Sequence, residues 1–310
     1  MRIGMISGAR MEVMEPDALI QMAKQAEQDG FSHLWFVHRP SLGYDTLTTI
    51  ALIGRQTSRI ELGTAVVPVY PYHPLGLAQH ALTAQAMAGG RLTLGIGLSH
   101  KPTVEDVLGL SYEHPARHMR EYLSVLRPLI SEGRVDFAAQ VFRVKAELNV
   151  PGAGPFPVLI AALAPMMLRI AGELADGTIT WMAGSKTLES HIVPRLSAAA
   201  ETARRPQPRV CVALPIAVTD DLTRGREQAA KEFRRYGQLV NYRRVLDIEG
   251  VNGPADVAVV GNESQVEQHL RALAAAGATD FLAAIFPAGE DAAASMSRTW
   301  TLLRTLNGKL

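Results

Sequence analysis

The chain has 310 residues, and its 31 Lys and Arg oppose 30 Asp and Glu, giving a formal charge of +1. That balance excludes the broad basic surface with which nucleic-acid binders displace counterions. With 47% hydrophobic and 20% charged residues, wholesale disorder is excluded too, and the one cysteine, Cys211, rules out a disulfide framework and any cysteine-based zinc site.

A chain of this length buries roughly three quarters of its extended surface on folding, so a large core needs no covalent staple. No run of 18 apolar residues occurs, and the opening MRIGMISGARMEVME has no long apolar stretch. Neither a membrane partner nor a secretory signal is therefore expected, and a cytoplasmic location is the default. The densest basic stretch, Arg234–Arg235 with Arg243–Arg244, sits among acids and reads as a solvated helix face.

In chain order, Arg2–Ser7 is a first apolar strand. Asp17–Asp29 places Leu19, Met22, Ala23 and Ala26 at helical spacing, with Pro16 suited to a first turn and Gly30 to the position past the end. His33–Val37 is a strand, Tyr44–Thr57 a helix, Ile60–Val67 a strand, Pro74–Ala88 a helix and Leu92–Ile96 a strand. Lys101–Glu113 reads as a loop with a short helix, and His114–Ser131 as a longer helix. Val135–Val144 alternates apolar and polar residues, which predicts a small β-hairpin inserted near 135–148. The alternation resumes with strand Pro157–Ala161, helix Met166–Ala175, strand Thr178–Trp181, helix Leu188–Arg204 and strand Val210–Val218. Helical material from Asp221 to about Tyr242 follows. Then come helix Ser264–Ala276, with Asn262 or Ser264 as its N-cap, strand Asp280–Phe286 and helix Ala292–Leu306.

Eight strands in βα order predict an all-parallel sheet with helices outside, and that number favours a closed (β/α)8 TIM barrel over an open sheet. No linker of biased composition divides the chain, so residues 1–310 are expected to form one α/β domain.

In such a barrel the chemistry lies at the carboxyl ends of the strands. The polar residues there are Ser7, His38, Arg39, Ser99, His100 and Thr180. His38 and His100 suit proton transfer, because imidazole titrates near neutrality. The plainer alternative for each is a hydrogen bond to a loop. Gly95-Ile96-Gly97 lacks the third glycine of a dinucleotide fingerprint, and it reads either as close approach to a ligand or as tight packing. Ala161–Pro165 is a strand-to-helix turn of small residues whose N–H groups would favour an anion such as phosphate.

Metal chemistry is not expected. His114 and His118 stand four apart, but Pro115 occupies the place of a zincin glutamate, and a surface or loop pair is the simpler reading. Cys211 lies in an apolar strand and reads as inert core.

Three stretches carry a family resemblance: Ile60–His100 (IELGTAVVP, an Ala-rich helix after His73–Pro74, then GGRLTLGIGLSH), Pro157–Met182 and Val259–Phe281. Over essentially the whole chain the sequence resembles the luciferase-like monooxygenase superfamily, in its branch of coenzyme F420-dependent oxidoreductases. The resemblance implies a barrel, usually a homodimer, that binds the deazaflavin at the strand ends and a small organic substrate beside it. It implies a non-proline cis peptide at Ala65–Val66 that backs the ring, and phosphate contacts at Ala162, Leu163 and Ala164. Ser7, Gly97, Ser99 and Thr180 complete the expected cofactor contacts, and Trp181 and Arg39 face the substrate. Trp35, Phe36, Val66, Leu98 and Met182 are expected to share with Trp181 either the pocket lining or the barrel core.

Two departures bear on activity. Relatives often carry Asp-His where this chain has His38-Arg39, and a glutamate near the slot of His100. The sugar-phosphate and alcohol activities of those relatives therefore do not transfer, and His38 and His100 are the expected acid/base groups. The alternatives are an FMN-dependent monooxygenase on the same fold, a non-catalytic cofactor-binding barrel, and a cofactor-free hydrolase or isomerase.

Overall fold

A computed structural model describes residues 1–310. Its strands are β1 (Arg2–Ser7), β2 (His33–Phe36), β3 (Glu61–Thr64), β4 (Val67–Pro68), β5 (Leu92–Gly97), β6 (Arg134–Ala138), β7 (Arg143–Glu147), β8 (Val158–Ala161), β9 (Gly177–Trp181), β10 (Arg209–Val218), β11 (Val259–Gly261) and β12 (Asp280–Ile285). Parallel pairing runs β1–β2–β3–β5–β8–β9–β10–β12 and returns to β1, where Ile3 stands opposite Phe281. The sheet is thus a closed eight-stranded barrel of the expected kind, with helices around it. Strands β6 and β7 form an antiparallel hairpin outside it, as the alternation of Val135–Val144 predicts.

Alternation along each strand sorts residues between two cores. Trp35, Leu159, Ile179, Cys211, Ala213 and Leu282 pack inside the barrel. Leu34, Ile160, Val212 and Phe281 face the helices. Trp35 is wholly buried inside the barrel, and its indole lies over Gly63 on the neighbouring strand. A Cβ added to Gly63 would lie 2.6 Å from its indole nitrogen. Helix starts follow the capping chemistry of short polar side chains. Asp45, Asp221 and Asp291 each accept a backbone N–H of the first turn, and Asn262 forms a reciprocal box with Gln265.

The structure refines the sequence reading in several places: β11 (Val259–Gly261) is a short strand beyond those expected, and the cis peptide at Ala65–Val66 is present as the resemblance implies. The third barrel strand is interrupted: β3 stops at Thr64, the Ala65–Val66 peptide is cis, and β4 resumes at Val67. At the break the Thr64 hydroxyl donates to the Gly95 carbonyl (2.7 Å) and accepts from the Gly95 N–H (2.9 Å), standing in for the lost ladder bonds. After β10, the helical material expected from Asp221 to about Tyr242 is two helices, Leu222–Phe233 and Val240–Glu249, joined by a 3₁₀ turn at Arg234–Gln238, and it runs on to Glu249. Gly237 inside that stretch is the sequence signal for the break. No helix is long and apolar enough to cross a membrane.

Candidate functional site

A cavity of about 450 Å³ opens at the carboxyl ends of the barrel strands, and 18 of its 25 lining residues are hydrophobic. Nine residues expected at the site line it. Ala65 and Val66 come from the break between β3 and β4, and Gly97, Ser99 and His100 from the end of β5. Leu163 and Ala164 come from the turn after β8, and Thr180 and Trp181 from β9.

The remaining four lie elsewhere. Ala162 is buried in the layer between strands and helices. Ser7 and Arg39 line a separate hollow of about 50 Å³. His38 lines neither space. Its Nδ1 lies 3.0 Å from the Thr46 hydroxyl and 3.6 Å from Asp45, and its Nε2 lies 3.4 Å from the Tyr72 hydroxyl. Both imidazole nitrogens therefore have protein partners. Burial lowers its pKa, and Asp45 opposes that shift.

His100 does line the cavity. Its ring meets that of Tyr242 edge-on at 5.6 Å. Burial holds the imidazole below its ordinary pKa, and the nearby Arg235 guanidinium pushes the same way. Both effects favour the neutral ring, the form that accepts a proton.

Gly97 is glycine for packing. A Cβ there would lie 2.7 Å from Val66 and 3.2 Å from Ala161, so the bare backbone is what lets Val66 lean over β5. Ser99, just past β5, and Met182, just past β9, hold left-handed conformations at φ 64° and 62°, an uncommon geometry for side-chain-bearing residues.

The Ala161–Pro165 turn is oriented through its carbonyls. His191 Nε2 donates to the Leu163 carbonyl at 2.8 Å, and the Thr178 hydroxyl donates to the carbonyls of Ile160 (2.9 Å) and Ala162 (3.4 Å). Helix Pro165–Leu174 starts directly after it, with Leu163, Ala164, Met166 and Met167 on the cavity side. Two polar atoms of the cavity wall, Thr180 Oγ1 and Trp181 Nε1, are buried without a hydrogen-bond partner. Buried polar atoms are rarely left so, and a ligand with complementary groups would satisfy both.

Sequence reasoning missed the outer wall. Tyr112 reaches it from the segment after β5, and Tyr236, Asn241, Tyr242 and Arg244 from the region after β10. Tyr236 stands edge-on to both Trp181 (5.4 Å) and Tyr242 (5.3 Å). The basic stretch read as a solvated face is thus partly site wall, because the break at Arg234–Gln238 turns Val240–Glu249 across the mouth. The structure also sorts the apolar candidates between lining and core. Trp35 is barrel core, Phe36 packs toward the helices and Met182 is fully buried, whereas Val66 and Leu98 line the cavity. His118 is no surface residue: it stacks on Tyr70 at 4.3 Å within an aromatic cluster.

Known proteins resemble this chain in sequence and fold. The F420-dependent glucose-6-phosphate dehydrogenase of Nakamurella multipartita is 29% identical over 274 residues, covering 84% of this chain and 79% of that one. An F420-dependent secondary alcohol dehydrogenase, solved with an F420–acetone adduct, superposes with a TM-score of 0.79 at 19% identity, over 97% of both chains. The oxygenating constituent of 3,6-diketocamphane monooxygenase, from the CAM plasmid of Pseudomonas putida and in complex with FMN, gives 0.75 at 17% identity, over 99% of this chain and 97% of that one. Those two likenesses establish the fold. The luciferase-like monooxygenase family matches residues 1–292, and the chain belongs to that family.

Proposed function

We propose that this protein, an oxidoreductase by family, uses coenzyme F420 to move a hydride between the deazaflavin and a small organic substrate, with residues 1–310 acting as one catalytic unit. The observation that carries the reading is the 274-residue match to an F420-dependent relative. The cavity fits the group. Its unpartnered Thr180 hydroxyl and Trp181 indole N–H lie within a mostly apolar wall, the combination that binds a flat ring with polar edges.

Val66 and the Ala65–Val66 peptide would back the ring, and Thr180 would bond its edge. The N–H groups at the start of helix Pro165–Leu174, beside Leu163 and Ala164, would take the phosphate. Bound there, the deazaflavin supplies two-electron hydride chemistry. His100, in the cavity wall, is placed to give or take the accompanying proton. The apolar wall excludes water from the reacting atoms. We assign His38 to holding Asp45, Thr46 and Tyr72 together rather than to proton transfer, since both its nitrogens are engaged. A homodimer is part of the same proposal.

The FMN-bound neighbour favours a second reading, a monooxygenase using reduced FMN. Titrating the purified protein with F420 and with FMN, followed by fluorescence, separates the two. Micromolar or tighter F420 binding with weak FMN binding is expected. The reverse order overturns the F420 assignment, and affinity for neither ring overturns both.

A further inference from the structure

The charges around the cavity are one-sided. Of its 25 lining residues, none is Asp, Glu or Lys, and Arg244 is the only one that is always charged. Of the other arginines of that stretch, Arg234 does not line the cavity, and Arg235 and Arg243 are occupied. Arg243 pairs with Asp247 at 2.7 Å and donates to the carbonyls of Val251 and Asn252. Arg235 lies over the Tyr236 ring at 4.5 Å and reaches the Met11 sulfur. Arg244 has no carboxylate within ion-pair distance and no hydrogen bond to the protein. Asn241 stands three residues before it on the same helix and lines the same cavity, and residues at that spacing share a helix face. Inward of this pair the wall is aromatic: Tyr242, Tyr236 and Trp181 in edge-on contact.

A cavity with apolar walls and one unpaired guanidinium at its rim concentrates positive potential there. An anion held at that point faces no acidic side chain of the lining. We propose that the outer half of the cavity selects a molecule with an apolar body and an anionic group, which Arg244 and Asn241 hold at the mouth. The inference rests on the cofactor reading above for the placement of the ring in the inner half. The anion belongs either to the substrate, as a carboxylate or phosphate, or to the outer part of the cofactor.

The probes are trans-cinnamate and its neutral amide, added to the F420-loaded protein, and F420 compared with its deazaflavin chromophore stripped of phosphate and carboxylates. Calorimetry at low salt reads all four affinities in the unmodified protein, Arg244→Gln and Arg244→Lys. The expected result is at least a ten-fold preference for cinnamate over the amide, lost in Arg244→Gln and partly kept in Arg244→Lys, with F420 affinity unchanged. The preference should shrink as salt rises, since the site is exposed and screened. A ten-fold loss confined to F420, with the stripped chromophore unaffected, supports the anion site and assigns the anion to the cofactor. If Arg244→Gln changes neither comparison, or the unmodified protein does not prefer the acid and F420 binding is unchanged in the variant, the proposal is overturned. Arg244 is exposed, so the substitution leaves folding intact. Absence of F420 binding to the unmodified protein would remove the cofactor reading alone, because the cinnamate comparison then runs on the ligand-free protein.

Discussion

The two ends of the barrel treat polar groups in opposite ways. At the amino-terminal end, side chains from five strands form one charged network. Arg209 bonds Asp280 and Glu61, each at 3.0 Å; Arg2 pairs with both acids; and Thr93 donates to Glu61 at 2.9 Å. Burial pushes the Asp280 carboxyl up, but Arg209, His33 and the hydroxyl of Thr279 outweigh it and hold it well below the usual carboxylate range. At the carboxyl-terminal end the lining holds one unpaired cation and two buried polar atoms without partners. The carboxylates and guanidinium groups at the first end pair with one another, whereas Arg244, Thr180 Oγ1 and Trp181 Nε1 at the second have no partner within the chain. Barrels divide stability and function between their ends in this way.

The largest effect is expected at the charged end. Asp280→Asn leaves Arg209 and Arg2 with a single carboxylate between them, and breaking a buried pair costs about 3–5 kcal/mol. Urea unfolding should show that loss, while F420 affinity of the folded fraction stays unchanged. A variant as stable as the parent would remove the contrast between the ends.

Acid sharpens the same contrast. Burial lowers the His33 pKa to about 4, although Asp280 and Glu61 pull it up. In the unfolded chain His33 titrates near 6.5, so between pH 6.5 and 4 the unfolded state binds the extra proton and stability falls with pH. The full drop is about 3 kcal/mol. The depressed Asp280 acts in the same direction at lower pH: its contribution is present above the unfolded carboxylate pKa and fades as pH falls below it. Unfolding free energy measured from pH 7 to pH 4 should decline in the parent, and His33→Gln should flatten the slope. An unchanged slope would place the acid sensitivity elsewhere.

At the cavity end, His100→Gln should lower turnover about 100-fold, in keeping with the loss of a general acid or base. Affinity for F420 should stay within a few-fold. Lost binding with unchanged chemistry would make His100 a cofactor contact instead.

How far the sequence discloses these features depends on their range. The eight-strand repeat is local, since apolar periods of 2 and 3.6 report which face each residue buries, and the barrel, the hairpin and the Asn262 cap are all legible from it. The carboxyl ends of strands are legible by the same route, which brings His100, Thr180 and Trp181 into view. The charged network is not, because Arg2, Glu61, Arg209 and Asp280 meet only when the barrel closes. Arg244 was hidden because the basic stretch around it reads as one solvated helix face, whereas the break at Arg234–Gln238 separates two helices and the second brings Arg244 to the mouth. His38 shows the remaining limit. A strand-end histidine looks the same in sequence whether its nitrogens are free or, as here, held by Thr46 and Tyr72.

The finest test makes one substitution at both ends. Thr93 and Thr180 are each about 1% exposed, and valine copies the shape of threonine. The Thr93 hydroxyl donates to Glu61 and accepts from Arg209 at 3.2 Å, so Thr93→Val removes one hydrogen bond from each of two charged groups and should cost about 1.5–3 kcal/mol. Thr180 Oγ1 has no partner, so Thr180→Val removes a buried hydroxyl whose desolvation nothing offsets, and the ligand-free protein should gain up to about 1 kcal/mol. The same variant should bind F420 about five-fold more weakly, since the hydroxyl then has nothing to give the ring edge. Urea midpoints with and without F420 read both effects. If both valines destabilise the ligand-free protein, the Thr180 hydroxyl is already satisfied within the fold, and its place in the cofactor site falls with it.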